Sequence, residues 1–387
     1  MDFDLTDEQR MFRDTLREFV EKEIVPVASE WEREDRYPTE IVETMKELGL
    51  FGITIPEEYG GLGIDMVSFT LVFEEIAKGW MGVAGILGSH SLASWMIARH
   101  GTQEQKDTYL PDLATGKRRS AIGLTEPDAG TDLQGIKTTA RRDGDHYVIN
   151  GTKTWITNAR YADPLPVLVK TDASAEPAHK GMSVILVEAG TPGFSVLKDI
   201  PKLGYKGTES CEILFEDCRV PVANLLGGVE GRGMQQVLSG LETGRLNVGA
   251  RALGIAQAAY DAALVYSRER TAFGQPISDF QAIQIKLAEM ATKIQAARLL
   301  LYWAASEADK GKRVDMQSGM AKLFASEVCV EVALEAMRIH GGYGYSKEFV
   351  VERLYRDAPL MTIGEGTSDV MRMVIARSLV SGKEKIG

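Results

Sequence analysis

The chain has few of the residues that build metal or disulfide sites. It contains three cysteines among 387 residues, Cys211, Cys218 and Cys329, and no C-x-x-C pair. Its five histidines include no H-E-x-x-H spacing. We therefore predict no catalytic metal, and three core thiols in a reducing compartment.

The chain also has fewer basic than acidic residues, and it lacks nucleotide-binding motifs and long apolar runs. The 55 acidic residues outnumber the 44 basic ones, which gives a formal net charge of -11 and argues against nucleic acid or an anionic membrane as the main partner. Neither G-x-G-x-x-G nor G-x-x-x-x-G-K-[ST] occurs, so a Rossmann site and a P-loop are not supported. The first residues do not resemble a secretory signal or a transit peptide, and no apolar run reaches membrane-spanning length. We expect a soluble, cytoplasmic protein.

The spacing of apolar residues divides the chain into three regions. From Leu5 to about Arg99 the spacing is helical, between about Ala121 and Pro221 it is typical of strands, and after Gly233 it is helical again. A chain of this length ordinarily holds two or three domains. We predict an N-terminal helical domain (1–120), a middle antiparallel β-barrel or sandwich (121–228) and a C-terminal four-helix bundle (229–387).

Local signals refine this prediction. Thr6 and Gln9 can form a helix capping box, and the Pro- and Gly-rich segment 56–63 predicts an ordered loop. The Asn-Gly pair at 150–151 predicts a tight hairpin within the β-prone run 146–157. Helices are expected near 234–269, 279–310 and 315–340, with a shorter one at 368–380.

Two segments of the middle region combine turns with potential ligand groups. The run 123–132 places small and hydroxyl-bearing residues beside Pro127 and Gly130, where backbone N–H and hydroxyl groups can meet an anionic or carbonyl-rich ligand. Composition alone favours an ordinary capped turn. The run 155–158 begins with Trp155, which by itself is more typical of a core aromatic on a hairpin.

Two further segments lie in the C-terminal region. In the run 268–281, Arg270 stands near a turn between two long helices, where its guanidinium can bind a phosphate pair or be a solvated helix-end charge. In the run 338–345, the glycines Gly341, Gly342 and Gly344 permit close approach of a flat ligand, or form a common helix C-cap.

The run 363–369 holds the candidate catalytic residue. Glu365 lies between Gly364 and Gly366, just before a helix that Thr367 or Ser368 can cap. Because the flanking glycines have no side chains, a ligand can approach this carboxylate closely. A surface carboxylate that merely interacts with the helix dipole is the alternative reading.

Taken in order, these segments resemble the acyl-CoA dehydrogenase family along nearly the whole chain. The resemblance implies FAD as cofactor, bound partly by a neighbouring subunit through Arg270, Gln281 and the Gly341 loop. It therefore implies a homo-oligomer, namely a tetramer built as a dimer of dimers. The implied FAD contacts are Leu124, Thr125, Gly130, Thr131, Trp155, Ile156, Thr157, Arg270, Phe273, Gln281, Arg338, Gly341, Gly342, Thr367 and Asp369.

The resemblance also implies a reaction. Glu365 would remove the α-proton of an acyl-CoA thioester while FAD accepts the β-hydrogen as hydride, giving the trans-2-enoyl-CoA and passing electrons to electron-transfer flavoprotein. The Glu365 amide and a flavin ribityl hydroxyl would stabilise the thioester oxygen. Glu242, Arg245 and Gly366 would contact substrate.

Three positions depart from the family pattern. Arg338 stands where Gln is usual, which puts one cofactor hydrogen bond in doubt, and Gly364 replaces a frequent aromatic residue, which should enlarge the space around the base. Some members place their base immediately before an arginine of the first bundle helix, which corresponds to Arg245 here, and this chain has Gly244 at that position. That alternative base is therefore absent.

Four alternative functions stay open, three with the same fold and one that does not follow from the resemblance. An acyl-CoA oxidase, a dehydrogenase of carrier-protein-tethered acyl groups and a desulfinase-like member without net oxidation share the architecture. A non-enzymatic helical binding protein would need none of the glycine-rich segments. The acyl group stays open between short straight, branched, cyclic and dicarboxylic chains, with Trp95 and Met96 as candidates for the pocket floor.

Overall fold

The computed structural model describes residues 4–382, and this part of the chain begins with helices. They are α1 (Asp7–Phe19), α2 (Val25–Arg33), α3 (Thr39–Glu47), α4 (Met66–Gly79), α5 (Met81–His100) and α6 (Gln103–Ala114). The predicted capping box is confirmed, since Gln9 N donates to Thr6 Oγ1 at 3.1 Å and Thr6 N donates to Gln9 Oε1 at 3.0 Å.

Helix α5 corrects one expectation from the sequence. By length and composition it is apolar enough to cross a membrane, whereas we expected no run of that length. However, 83% of its most apolar window is buried inside the protein. It packs against α4, α6 and α7, as the core helix of a folded domain does.

The middle region forms one mixed six-stranded sheet. Its strands are β1 (Thr139–Asp143), β2 (His146–Thr157), β3 (Leu165–Lys170), β4 (Met182–Val187), β5 (Phe194–Asp199) and β6 (Ser210–Pro221). They lie in the order β4-β3-β1-β2-β6-β5. All neighbours are antiparallel except β1 and β3, which run parallel where Thr139 faces Lys170. The expectation of purely antiparallel pairing is wrong at this point, and no pairing between the described strands closes the sheet into a barrel.

The predicted hairpin at Asn150-Gly151 is wrong. Strand β2 continues through both residues, and the turn lies earlier, where Gly144 at φ 63° joins β1 to β2. Asn150 Oδ1 instead accepts a hydrogen bond from Asp217 N at 2.9 Å, and the register with β6 shifts beside Gly151. A Cβ at Gly151 would lie 2.4 Å from Thr138 Oγ1, so the glycine permits a bulge and not a turn.

The C-terminal region, as far as residue 382, contains one helix more than the four we predicted. The three long helices are confirmed as α7 (Gly233–Glu269), α8 (Gln281–Asp309) and α9 (Asp315–His340), and the terminal helix as α11 (Ser368–Val380). A further helix, α10 (Val351–Ile363), precedes the catalytic segment. This helix was not predicted from the sequence, because Pro359 lies inside it and a glycine-rich run precedes it.

Helix α7 connects the regions around the site. It packs against α4 and α5 on one side and against α8, α9 and α10 on the other. A short ribbon of β7 (Thr271–Ala272) and β8 (Gln275–Pro276) joins it to α8. The three cysteines are free and buried, as predicted. The domain boundaries at 120 and 228 stay a prediction.

Candidate active site

Glu365 occupies a strained bend between α10 and α11. Its φ of 53° and the 99° of Gly366 place two consecutive residues in the left-handed region, which is uncommon for a residue with a side chain. Two contacts hold the bend. Thr367 caps α11 by accepting a hydrogen bond from Val370 N at 3.2 Å, and the buried Lys322 Nζ donates to Gly366 O at 2.6 Å.

The Glu365 carboxylate is largely shielded from water and surrounded by cations. Its side chain is 23% exposed, and Oε1 lies 3.6 Å from Arg251 Nη2. Oε2 is buried and has no hydrogen-bond partner among the described residues. Burial raises the pKa of Glu365, while Arg251, Lys322 and Arg245 oppose that shift. A carboxylate with a raised pKa and one free oxygen can act as a general base.

Gly244 lies directly against this carboxylate. A Cβ built on Gly244 would lie 1.9 Å from Glu365 Oε2, closer than real Cβ contacts come. Gly244, the position of the alternative base in the family resemblance, is thus adjacent in space to Glu365. A side chain at 244 and the present position of the Glu365 carboxylate exclude each other.

Glu242 and Arg245 lie on α7 on either side of Gly244. Arg245 is buried and its Nη1 lies 3.3 Å from Asp315 Oδ1, which supports a packing role for part of its guanidinium. Glu242 accepts a hydrogen bond from Val314 N at 3.4 Å. Burial and then the nearby Asp315 raise the pKa of Glu242.

A cleft of about 1040 Å³ opens beside these residues. Trp95 and Thr243 line it, whereas Met96 is fully buried in the core, so only the first of the two predicted floor residues faces the cleft. The basic side chains in its lining are Arg99, Lys180, Arg232, Lys312 and Arg313. They outnumber the acidic ones, Glu230 and Glu242, although the chain as a whole is acidic. The cleft therefore favours an anionic ligand.

The loop that carries Leu124, Thr125, Gly130 and Thr131 is fixed by a buried ion pair. Lys153 Nζ on β2 donates to Glu126 Oε1 at 2.8 Å and to Leu124 O at 3.0 Å. Thr154 N donates to Thr125 O at 2.8 Å. Both charged side chains are at least 95% buried, so the pair holds the loop against the sheet.

The following residues of β2 differ in the direction of their side chains. Trp155 has φ 63° and is 55% exposed, which is unusual for a tryptophan in a strand. Ile156 is 2% exposed and packs in the core of the sheet, so only its main chain can meet a ligand. Thr157 is half-buried, and its carbonyl accepts a hydrogen bond from Ser89 Oγ at 3.3 Å.

The remaining predicted cofactor residues lie on exposed surface. Arg270 caps the end of α7 and its guanidinium lies 5.9 Å from the centre of the Tyr343 ring. Phe273 is 98% exposed, and a Cβ on Gly341 or Gly342 would meet no atom within 4 Å. Gln281, Arg338 and Asp369 are also exposed. Arg338 pairs with Glu335, and Asp369 with Arg372, within their own helices.

Three residues near Glu365 were not predicted from the sequence to belong to the site, namely Arg251, Lys322 and Tyr205. Arg251 lies seven residues after Gly244 on α7, and two helical turns return it to the same face. Lys322 interrupts an apolar stretch of α9, a weak signal of a buried charge. Tyr205 lies in a connection between strands, where nothing in the sequence suggests proximity to the site.

The architecture and the site together define the class of protein. A mixed sheet follows one helical region and precedes another, and a half-buried carboxylate lies beside a cleft that basic side chains line. Sequence profiles of the acyl-CoA dehydrogenase N-terminal, middle and C-terminal domains match residues 6–117, 121–218 and 231–380. The chain therefore belongs to the acyl-CoA dehydrogenase family and is an enzyme. Members of this family are flavoprotein oxidoreductases of fatty acid metabolism.

Individual relatives cover almost the whole chain. It is 46% identical over 382 residues to a probable acyl-CoA dehydrogenase, YngJ, of Bacillus subtilis (strain 168), covering 98% of this chain and 100% of that protein. It is also 46% identical to an acryloyl-CoA reductase (NADH) of Anaerotignum propionicum, covering 98% and 96%. A chain in a structure described as the electron transferring flavoprotein of Acidaminococcus fermentans superposes with a TM-score of 0.95 at 43% identity, covering 98% and 100%.

Proposed function

We propose that this enzyme is an FAD-dependent acyl-CoA dehydrogenase that forms the trans-2-enoyl thioester, with Glu365 as the base. The observation that carries the proposal is the Glu365 carboxylate itself, shielded from water, raised in pKa and with Oε2 unpaired among the described residues. An acyl-CoA thioester needs such a base because its α-proton is weakly acidic. Neither Glu230 nor Glu242, the two carboxylates that line the neighbouring cleft, combines these features.

The cleft supports the choice of a CoA thioester. Coenzyme A carries several phosphate charges, and five basic side chains line the cleft. The cleft extends to Thr243, the residue before Gly244, and Gly244 touches Glu365. A thioester whose CoA part lies in the cleft can therefore present its α-carbon to Glu365.

The residues proposed to hold FAD fit such a group. The loop 123–131 is fixed by the Glu126–Lys153 pair, and the exposed Trp155 ring stands beside it on β2. Gly341 and Gly342 offer backbone with open space around it. When bound, FAD would supply the acceptor for the β-hydrogen as hydride.

The chain's own contribution is to position the reacting groups. Lys322 holds the Gly366 carbonyl and so fixes the direction of the peptide next to the base. The Glu365 amide would donate to the thioester oxygen, where negative charge develops as the α-proton leaves. The electron-transfer flavoprotein is proposed as the electron acceptor. The support is that a chain with this fold occurs in the Acidaminococcus structure whose description names that flavoprotein.

Removal of the carboxylate tests the assignment. Glu365→Gln should retain FAD and bind acyl-CoA, but should slow anaerobic flavin reduction by butyryl-CoA at least roughly 10²–10⁴-fold, the range of a general base. Glu327→Gln, which changes a half-exposed glutamate on α9, is the matched control. Near-normal bleaching of the flavin in Glu365→Gln refutes the proposal.

A homotetramer is part of the proposal because the surface that would hold a neighbour's FAD is open. Phe273 and Tyr345 are 98% and 87% exposed, an arrangement typical of an interface. Phe273→Asp should therefore dissociate the oligomer and lower its FAD content, measured by light scattering and visible absorbance. Met11→Asp, at a side chain that is 72% exposed on α1, should do neither. A monomeric wild type that retains FAD contradicts this part.

The reductive direction is a second candidate. It is favoured by the 46% identity to acryloyl-CoA reductase, because the same base can return a proton to the α-carbon. Dithionite-reduced enzyme should then be reoxidised by an enoyl-CoA faster than oxidised enzyme is bleached by the saturated thioester. The opposite order of rates supports dehydrogenation.

A further inference from the structure

A polar cluster of Arg251, Asn247, Tyr205 and Thr157 adjoins the base. Arg251 is 7% exposed, and its Nη2 lies 3.6 Å from Glu365 Oε1. Tyr205 is 8% exposed and interacts with both Arg251 and Thr157. Asn247 lies one helical turn before Arg251 on α7, on the same face.

The fold makes room for this cluster. A Cβ at Gly85 of α5 would lie 1.9 Å from the Tyr205 hydroxyl oxygen, and a Cβ at Gly88 would lie 2.5 Å from Asn247 Nδ2. The two glycines are three residues apart on one face of α5. Polar side chains from α7 and from the connection before β6 therefore reach a place that alanines on α5 would close.

The surroundings of Glu365 hold more positive charge, and the cluster holds more hydrogen-bonding capacity, than the described side chains pair. Arg245 is paired with Asp315 at 3.3 Å, which leaves Arg251 and Lys322 facing the single carboxylate of Glu365. Arg251 Nε and Asn247 Oδ1 are buried without a hydrogen-bond partner among the described residues. A buried donor of this kind is unfavourable unless a ligand pairs with it.

We propose that Arg251, assisted by Tyr205, binds a carboxylate at the far end of a short acyl chain, so that the preferred substrate is a dicarboxylic acyl-CoA thioester. The proposal rests on the proposed function, because it takes the α-carbon to lie against Glu365. A guanidinium offers Nε and Nη donors that match a carboxylate in two parallel hydrogen bonds.

The distance between Arg251 and the base sets the chain length. The base must approach the α-carbon to about 3–3.5 Å, and Arg251 Nη2 lies 3.6 Å from that base. A carboxylate bound to Arg251 is therefore attached to the β-carbon or one carbon further. This corresponds to a four- or five-carbon dicarboxylic backbone.

Binding of two non-reactive analogues tests the proposal without turnover. S-(3-carboxypropyl)-CoA and S-butyl-CoA lack the thioester carbonyl and differ only in the terminal carboxylate. Titration calorimetry of the FAD-loaded wild type should give at least about 30-fold tighter binding of the carboxylate analogue, as expected for a buried charge pair. Equal or tighter binding of S-butyl-CoA overturns the proposal whatever any variant does.

Variants of Arg251 locate the effect. Arg251→Gln should abolish the preference for the carboxylate while leaving S-butyl-CoA binding within about 3-fold, and Arg251→Lys should retain part of it because the charge remains. Equal weakening of both analogues in Arg251→Gln, with unchanged FAD absorbance, overturns the assignment. If Arg251→Gln does not fold, the wild-type comparison still decides.

Flavin reduction separates this proposal from the proposed function. Bleaching by succinyl-CoA or glutaryl-CoA faster than by butyryl-CoA supports both. Bleaching by butyryl-CoA alone leaves the dehydrogenase intact and overturns the carboxylate site. Tight binding of the carboxylate analogue without bleaching by any thioester supports the site and refutes the reaction.

Discussion

A single added methyl group on α7 should slow the enzyme about 10²-fold without unfolding it. In Gly244→Ala the new Cβ would lie 1.9 Å from Glu365 Oε2, whereas real Cβ contacts below 3.0 Å essentially never occur. The carboxylate must therefore move by about 1 Å or more, and a displacement of that size can lower a rate about 10²-fold. We expect flavin reduction to slow by about this factor.

The stability of Gly244→Ala should change much less than its activity. Alanine gains about 1 kcal/mol of helix propensity over glycine, which offsets part of the roughly 1–3 kcal/mol of overpacking. The contact is moreover with the end of a flexible side chain, which can rotate away. The unfolding temperature and the FAD content should therefore stay close to those of the wild type.

Stopped-flow measurement of anaerobic flavin reduction is the appropriate assay. Gly240→Ala is the matched control, because it adds a methyl to the same helix at 3.0 Å from Leu92 Cδ1 and Met96 Cγ, and not against Glu365 or Lys322. It should reduce its flavin at nearly the wild-type rate. A rate in Gly244→Ala within about 3-fold of the wild type, with FAD bound, would show that the position of this carboxylate does not limit the reaction.

Two buried lysines give the remaining predictions. Lys153→Met should leave the Glu126 carboxylate buried and unpaired, destabilising the loop by about 3–5 kcal/mol and lowering FAD content, whereas Lys137→Met at an exposed pair should not. Burial lowers the pKa of Lys322 to about 8, so the folded protein loses this proton before the unfolded chain does. Between pH 8 and about 10.5 the free energy of unfolding of the wild type should therefore rise relative to that of Lys322→Met, by up to about 3 kcal/mol. The difference in melting temperature between the two proteins should rise with it. A constant difference across that range contradicts the assignment of the shift to Lys322.

Local patterns of residues predicted the elements of the fold well. The capping box at Thr6, the three long helices and the cap at Thr367 depend on residues within one or two turns of each other, and such signals lie within a short stretch of sequence. Failures arose where a local signal competed with distant contacts. The Asn150-Gly151 pair is typical of a turn, but Asp217 and Thr138 from other segments accommodate it inside a strand.

The catalytic candidate and its neighbours show the same division. Its sequence context and the resemblance singled out Glu365, because two glycines and a helix cap adjoin it along the chain. The contacts that determine its charge could not be read from the sequence, since Arg251 and Lys322 lie on helices 114 and 43 positions away in the chain. Only the packing of α7 and α9 around the bend brings these cations together and buries them, and burial is what makes their charges act strongly on one carboxylate.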